Sequence, residues 1–91
     1  MISVIALIED AFGNVLLVKQ TVGKSLWTLP GGKVKAHESL DHALRREILE
    51  ELGLKLKCAT LVDIYDRPEK EAVSVLYRVT LEPGEFKPRA A

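Results

Sequence analysis

The chain has 91 residues, enough for one small domain with a modest buried fraction. Apolar residues make up 47% and charged residues 29%, and thirteen basic side chains balance thirteen acidic ones, so no net field draws the molecule to a nucleic acid polymer or an anionic membrane. A single cysteine, Cys58, excludes an internal disulfide and suits a reducing cytoplasm.

In chain order, MISVIALIED turns acidic after a short apolar stretch with no basic lead, so it reads as neither signal peptide nor membrane span. Ile2 to Ile8 is rich in β-branched residues and predicts a strand covered on both faces or nearly so. Asp10, Gly13 and Asn14 make a turn, and Val15 to Lys19 returns as the second arm of a hairpin. Thr21 to Ser25 is a polar loop containing Gly23. Leu26 to Leu29 is a short extended piece stopped by Pro30-Gly31-Gly32, and Lys33 to Glu38 is irregular. Ser39 is placed as an N-cap, a helix spans Leu40 to Leu52, and Gly53 ends it as a left-handed cap. Leu54 to Asp63 predicts a strand, Asp66 to Lys70 a charged turn holding Pro68, and Ala72 to Leu81 another strand broken by Pro83-Gly84. The tail KPRAA carries no pattern. Cys58 reads as a small buried residue of its strand.

The helix carries the chemistry. Leu40, Ala43, Leu44, Ile48 and Leu52 form its apolar stripe, yet Glu47 and Glu51 fall inside the arc bounded by Ala43 and Ile48, with Glu50 at the edge. Acids there are costly to desolvate and repel one another unless a cation compensates them. Because they stand adjacent or three and four apart, the three carboxylates can converge on a small volume. A divalent cation such as Mg²⁺ or Mn²⁺ resolves the conflict, since it prefers carboxylate oxygens and keeps waters and substrate phosphates as its other ligands. Arg46 reads as orienting one of the glutamates, with Glu50 one turn forward, rather than as a solvated arginine.

From Gly32 to Leu54 the residues read GKVKAHESLDHALRREILEELGL, or G-x5-E-x7-R-E-I-L-E-E-L-G-L. This resembles the signature of the Nudix hydrolases at every fixed position, and so many fixed positions over 23 residues make chance agreement remote. The resemblance implies an α+β Nudix fold, a mixed β-sheet packed by the signature helix within an α/β/α sandwich, over one domain at 1–91. It implies a hydrolase that cleaves a nucleoside diphosphate linked to a further group, such as ADP-ribose, another nucleotide sugar or a nucleoside triphosphate. It also implies Mg²⁺ or Mn²⁺ held by Glu47, Glu50 and Glu51 with Gly32, and Glu38 as an outer ligand or an acid behind the ligands. Glu50 or Glu51 is then the base that activates water, and Gly31, Gly32 and Lys33 belong to the loop that meets the phosphates. A non-catalytic nucleotide-binding module of the same fold is the alternative, against which the intact acids argue.

Other residues read more blandly. His37 and His42 lack partners at zinc-ligand spacing and are expected at the surface. His37 stands where many relatives have glycine. Trp27 is expected to pack in the core rather than offer a stacking platform, and Lys33 and Lys35 are as well placed to solvate their loop as to meet phosphate. Relatives usually continue with another strand and a helix over the second sheet face. Without those, the expectations are a truncated chain, a natural minimal version, or a homodimer that covers the apolar face.

Overall fold

The computed structural model describes residues 1–20 and 26–87, so the expected loop at Thr21–Ser25 and the tail beyond Lys87 lie outside the described residues. The elements are β1 (Ile2–Leu7), β2 (Val18–Lys19), β3 (Trp27–Thr28), β4 (Gly31–Lys33), helix α1 (Leu40–Leu52), β5 (Leu56–Arg67), a 3₁₀ turn (Pro68–Lys70) and β6 (Ala72–Leu81). Four strands make a mixed sheet in the order β4-β1-β6-β5. The β1–β6 pair is parallel, which requires the crossover that α1 provides, while β4 and β5 run antiparallel to their neighbours. The result is an α+β arrangement with α1 packed on one face.

Alternation decides which side chains meet the helix. Val4, Ala6 and Ile8 point toward it, as does Val79 of β6, and they enclose Ala43, Leu44, Ile48 and Leu52. Leu40, counted in the apolar stripe, sits at the exposed first turn instead. The helix ends match the reading from sequence. The Ser39 hydroxyl accepts from the His42 N–H at 3.0 Å, and Gly53 turns left-handed at φ 70° with its N–H donating to the Leu49 carbonyl.

Several strand expectations need correction. β1 is not covered on both faces: Val4 and Ala6 are buried, whereas Ile5 and Leu7 on the opposite face are only half-buried. The predicted hairpin from β1 is reduced to one bridge between Glu9 and Val15, with the Leu16 N–H donating to the Ile8 carbonyl at 2.9 Å. Its turn is held by Asp10, whose carboxylate accepts from the Phe12 and Asn14 N–H groups, and the chain then leaves β1 so that Val18–Lys19 pairs with Trp27–Thr28. The extended piece does stop before Pro30, at Thr28, but Gly31 and Gly32 then open a further strand that pairs with β1. β5 starts two residues later than expected and runs through to Arg67, because its pairing with β6 continues to Ala72. Cys58 is exposed on that strand, its Sγ against the Thr80 hydroxyl, and Trp27 is 64% exposed rather than packed inside. Helix α1 reaches neither.

Candidate functional site

α1 and β4 meet edge to edge, and the contact explains the glycine pair. At Gly31, where φ is 151°, a Cβ would overlap the Val4 carbonyl of the paired strand, so only glycine lets β4 lie this close to β1. At Gly32 a Cβ would stand 2.5 Å from the carboxyl carbon of Glu47. The second glycine therefore clears a space that an acid from the helix occupies.

Around that space the acids divide into two groups. Arg46 binds the first. Its Nε donates to Glu38 Oε2 at 2.7 Å and its Nη2 to Glu38 Oε1 at 2.9 Å, a bidentate pair, while Nη1 donates to Glu47 Oε1 at 2.7 Å and, more distantly, to Glu50 Oε2 at 3.5 Å. Nη2 also donates to the Lys33 carbonyl at 3.0 Å, tying the helix to β4. The Glu38 side chain is 6% exposed and those of Glu47 and Arg46 are 14% and 15%, so these pairs lie largely out of water, whereas Glu50 is 43% exposed. The Arg46 guanidinium holds the Glu38 carboxyl well below the usual carboxylate range, helped by the Lys35 N–H and His42. Glu38, and then Glu47, hold the arginine above its own usual value.

Glu51 forms the second group. Its two oxygens accept from the Gly31 N–H at 3.2 and 3.3 Å, and among the described residues no cationic side chain pairs with it. Burial pushes its carboxyl up to about 7, the Gly31 N–H opposing the rise and the neighbouring Glu47 and Glu50 adding to it. Here the cost foreseen from the helix pattern is visible: among the described residues, one acid of the arc has no counter-charge.

Most sequence-predicted residues gather at this place, but their pairings differ from expectation. Arg46 does orient glutamates, though chiefly Glu38, eight positions back, and Glu47 rather than Glu50. Both Glu38 oxygens are engaged within the protein, Oε1 by Arg46 and the Lys35 N–H, Oε2 by Arg46 and His42 Nδ1 at 2.6 Å, an arrangement in keeping with an acid that positions its neighbours. The His42 contact was missed, although the i, i+4 spacing from Glu38 was a signal for it. Glu47, Glu50 and Glu51 do not fully converge. Among the described residues no three His, Cys, Asp or Glu side chains form a complete cation cage, since Arg46 draws Glu47 and Glu50 to itself. The Lys33 side chain is exposed, and its carbonyl accepts from Arg46. His37 adopts φ 64°, the left-handed conformation that explains why glycine suits this position.

The donor set nonetheless suits a hard divalent cation. It is all oxygen, it includes a half-buried carboxylate lacking a counter-charge, and Mg²⁺ characteristically uses one or two carboxylates, waters and substrate phosphates rather than a closed protein cage.

A family model described as the NUDIX domain matches residues 1–91. The chain is 43% identical over 61 residues to an 8-oxo-dGTP diphosphatase of Buchnera aphidicola, covering 64% of this chain and 48% of that protein. It is 32% identical over 80 residues to an ADP-ribose pyrophosphatase of Methanocaldococcus jannaschii, covering 81% and 47%. Among solved structures, a MutT NUDIX hydrolase from Burkholderia pseudomallei superposes with a TM-score of 0.84 at 32% identity, over 98% of this chain and 73% of that one. The chain spans about half the length of the curated relatives it matches.

Proposed function

The chain belongs to the Nudix family, and from that premise we propose that it is a divalent-metal-dependent pyrophosphohydrolase, cleaving the diphosphate of a nucleoside diphosphate joined to another group. ADP-ribose or another nucleotide sugar, or a nucleoside triphosphate, is the proposed substrate, in keeping with the names of the two relatives above. One observation carries the reading. Arg46 is spent on Glu38 and Glu47, while Glu51 lies half-buried on the Gly31 N–H with no side-chain cation pairing with it among the described residues.

In this reading Glu47, Glu50 and Glu51, with the backbone of Gly32, hold Mg²⁺ or Mn²⁺. When bound, the ion neutralises the pyrophosphate and polarises the phosphorus that water attacks. The chain's own groups do the rest. Glu38 anchors Arg46, and Arg46 fixes the Glu47 carboxylate against the space left by Gly32. Glu51 is aimed by the Gly31 N–H, and Glu50 or Glu51 accepts the proton of the attacking water. Lys33, exposed beside the site, meets substrate phosphate. The lone cysteine supports a cytoplasmic setting, and the half-buried second sheet face supports a homodimer. Among the described residues no helix is long and apolar enough to cross a membrane.

The test is turnover, followed by chromatography of the nucleotide products, of a panel of ADP-ribose, nucleotide sugars, diadenosine polyphosphates and nucleoside triphosphates with Mg²⁺ or Mn²⁺. Glu51→Gln should lower turnover at least about 1,000-fold while leaving the circular dichroism unchanged. A variant that keeps near wild-type rate overturns the assignment of Glu51. Nucleotide binding without turnover by the wild type would instead favour a sensing module.

A further inference from the structure

Tryptophan is the amphipathic residue that most rewards burial, yet the single Trp27 of this chain stays 64% exposed. It is nonetheless well held. Trp27 pairs across the two-stranded ladder with Lys19, whose Nζ stands 6.0 Å from the ring centroid, at the outer limit of a cation–π contact. Downstream, Pro30 is buried and its carbonyl accepts from the Ala6 N–H at 2.8 Å, so the segment leaving β3 is pinned to the central sheet. The next residue is Gly31, whose N–H holds Glu51. Trp27 and Gly31 are four positions apart, which limits their Cα atoms to about 14 Å apart even if fully extended. A flat, exposed aromatic ring with a cation beside it is thus tethered within a short reach of the acids.

We propose that Trp27, with Lys19 across the ladder, is a stacking platform for the nucleobase of the substrate whose diphosphate lies at Glu47 and Glu51. The inference rests on the hydrolase reading and adds the element that makes a nucleotide, rather than any pyrophosphate, the ligand. An indole face accepts every base, because each presents a π-surface, so the platform favours nucleotides as a class without selecting one base. Lys19 needs only to swing off the ring, since an exposed lysine is a flexible stem with a mobile head.

The experiment uses the fact that Trp27 is the only tryptophan. In the presence of Mg²⁺, the α,β-methylene analogues of ATP and dGTP, whose carbon bridge replaces the oxygen of the bond to be cut, are titrated into the wild-type protein, with inorganic triphosphate as the probe lacking a base. Stacking should quench the tryptophan emission with both nucleotides and leave it unchanged with triphosphate. Trp27→Ala should weaken nucleotide binding about ten-fold or more, read by calorimetry, without altering triphosphate binding, and Trp27→Phe should recover most of the loss. In kinetics the effect should fall on KM more than on kcat. Calorimetric binding of either nucleotide with unchanged emission overturns the platform and leaves the hydrolase reading standing. No binding of either nucleotide, together with no turnover across the panel above, overturns both. Should Trp27→Ala fail to fold, the emission of the intact protein still decides.

Discussion

Glu51 is a carboxylate held where its charge is costly, and that cost makes a prediction about pH. Its folded-state value of about 7 lies above the ordinary 4.5, so the folded protein favours the protonated form. Below about pH 4.5 the group is protonated whether the chain is folded or not, and no penalty arises. As pH rises from there through 7 the folded state loses stability relative to the unfolded one. In EDTA, Glu51→Gln should therefore raise the melting temperature at pH 8, by about 1–2 kcal/mol of stability once solvent screening of a half-exposed group is allowed for, and change it little at pH 4. Melting curves at the two pH values check this. A Gln variant no more stable than wild type at pH 8 would mean that the carboxylate is compensated by some other group. At this scale the helical period alone was enough to locate Glu47 and Glu51, because their position on the arc is a local property. The grip of Glu38 on Arg46 was not legible. It depends on how the segment from Val34 to Ser39 turns back, with His37 left-handed, and no spacing rule encodes a contact eight residues apart.

Helix α1 was readable from end to end because its signals are local: a serine cap, a 3.6-residue stripe and a glycine stop. The strands were less so. β2 shrank to Val18–Lys19 and β4 formed at two glycines, since strand pairing is decided by distant neighbours rather than by the propensity of the residues that pair. The two glycines of β4 should respond differently to the same change. At Gly31 the added methyl meets the Val4 backbone at a positive φ, and neither can give way without parting β4 from β1. Gly31→Ala should lower stability by roughly 2–4 kcal/mol in chemical denaturation. At Gly32 the methyl meets only the far end of the Glu47 side chain, which can swing aside. Gly32→Ala should cost less than about 1 kcal/mol and yet depress turnover strongly, because the displaced carboxylate leaves the place where Arg46 fixes it. Equal losses of stability in the two variants would show that Glu47 is as immovable as a backbone atom.

The whole molecule explains why Cys58 and Trp27 were misplaced. An apolar content of 47% suggests a core large enough to take them, but among the described residues one α-helix covers only the face formed by Val4, Ala6 and Val79. Among the described residues β5 lies at the edge of the sheet, paired on one side only, and Leu61 and Ile64 are each 54% exposed along it, with Val62 and Tyr65 little less so. A long edge strand with apolar side chains is a template for pairing with another chain, and natural edges limit this with charges, of which this strand has Asp63 mid-strand among Leu61, Val62, Ile64 and Tyr65. The chain of 91 residues should therefore self-associate. Sedimentation equilibrium should give a mass above that of the monomer, rising with concentration. Ile64→Lys places a charge mid-strand on that edge, far in sequence from Glu47 and Glu51, and should shift the population to monomer while the helix signal in circular dichroism stays intact. If the wild type sediments as a monomer throughout, the edge of β5 is tolerated by water as it stands, and the apolar residues along it serve no contact between copies.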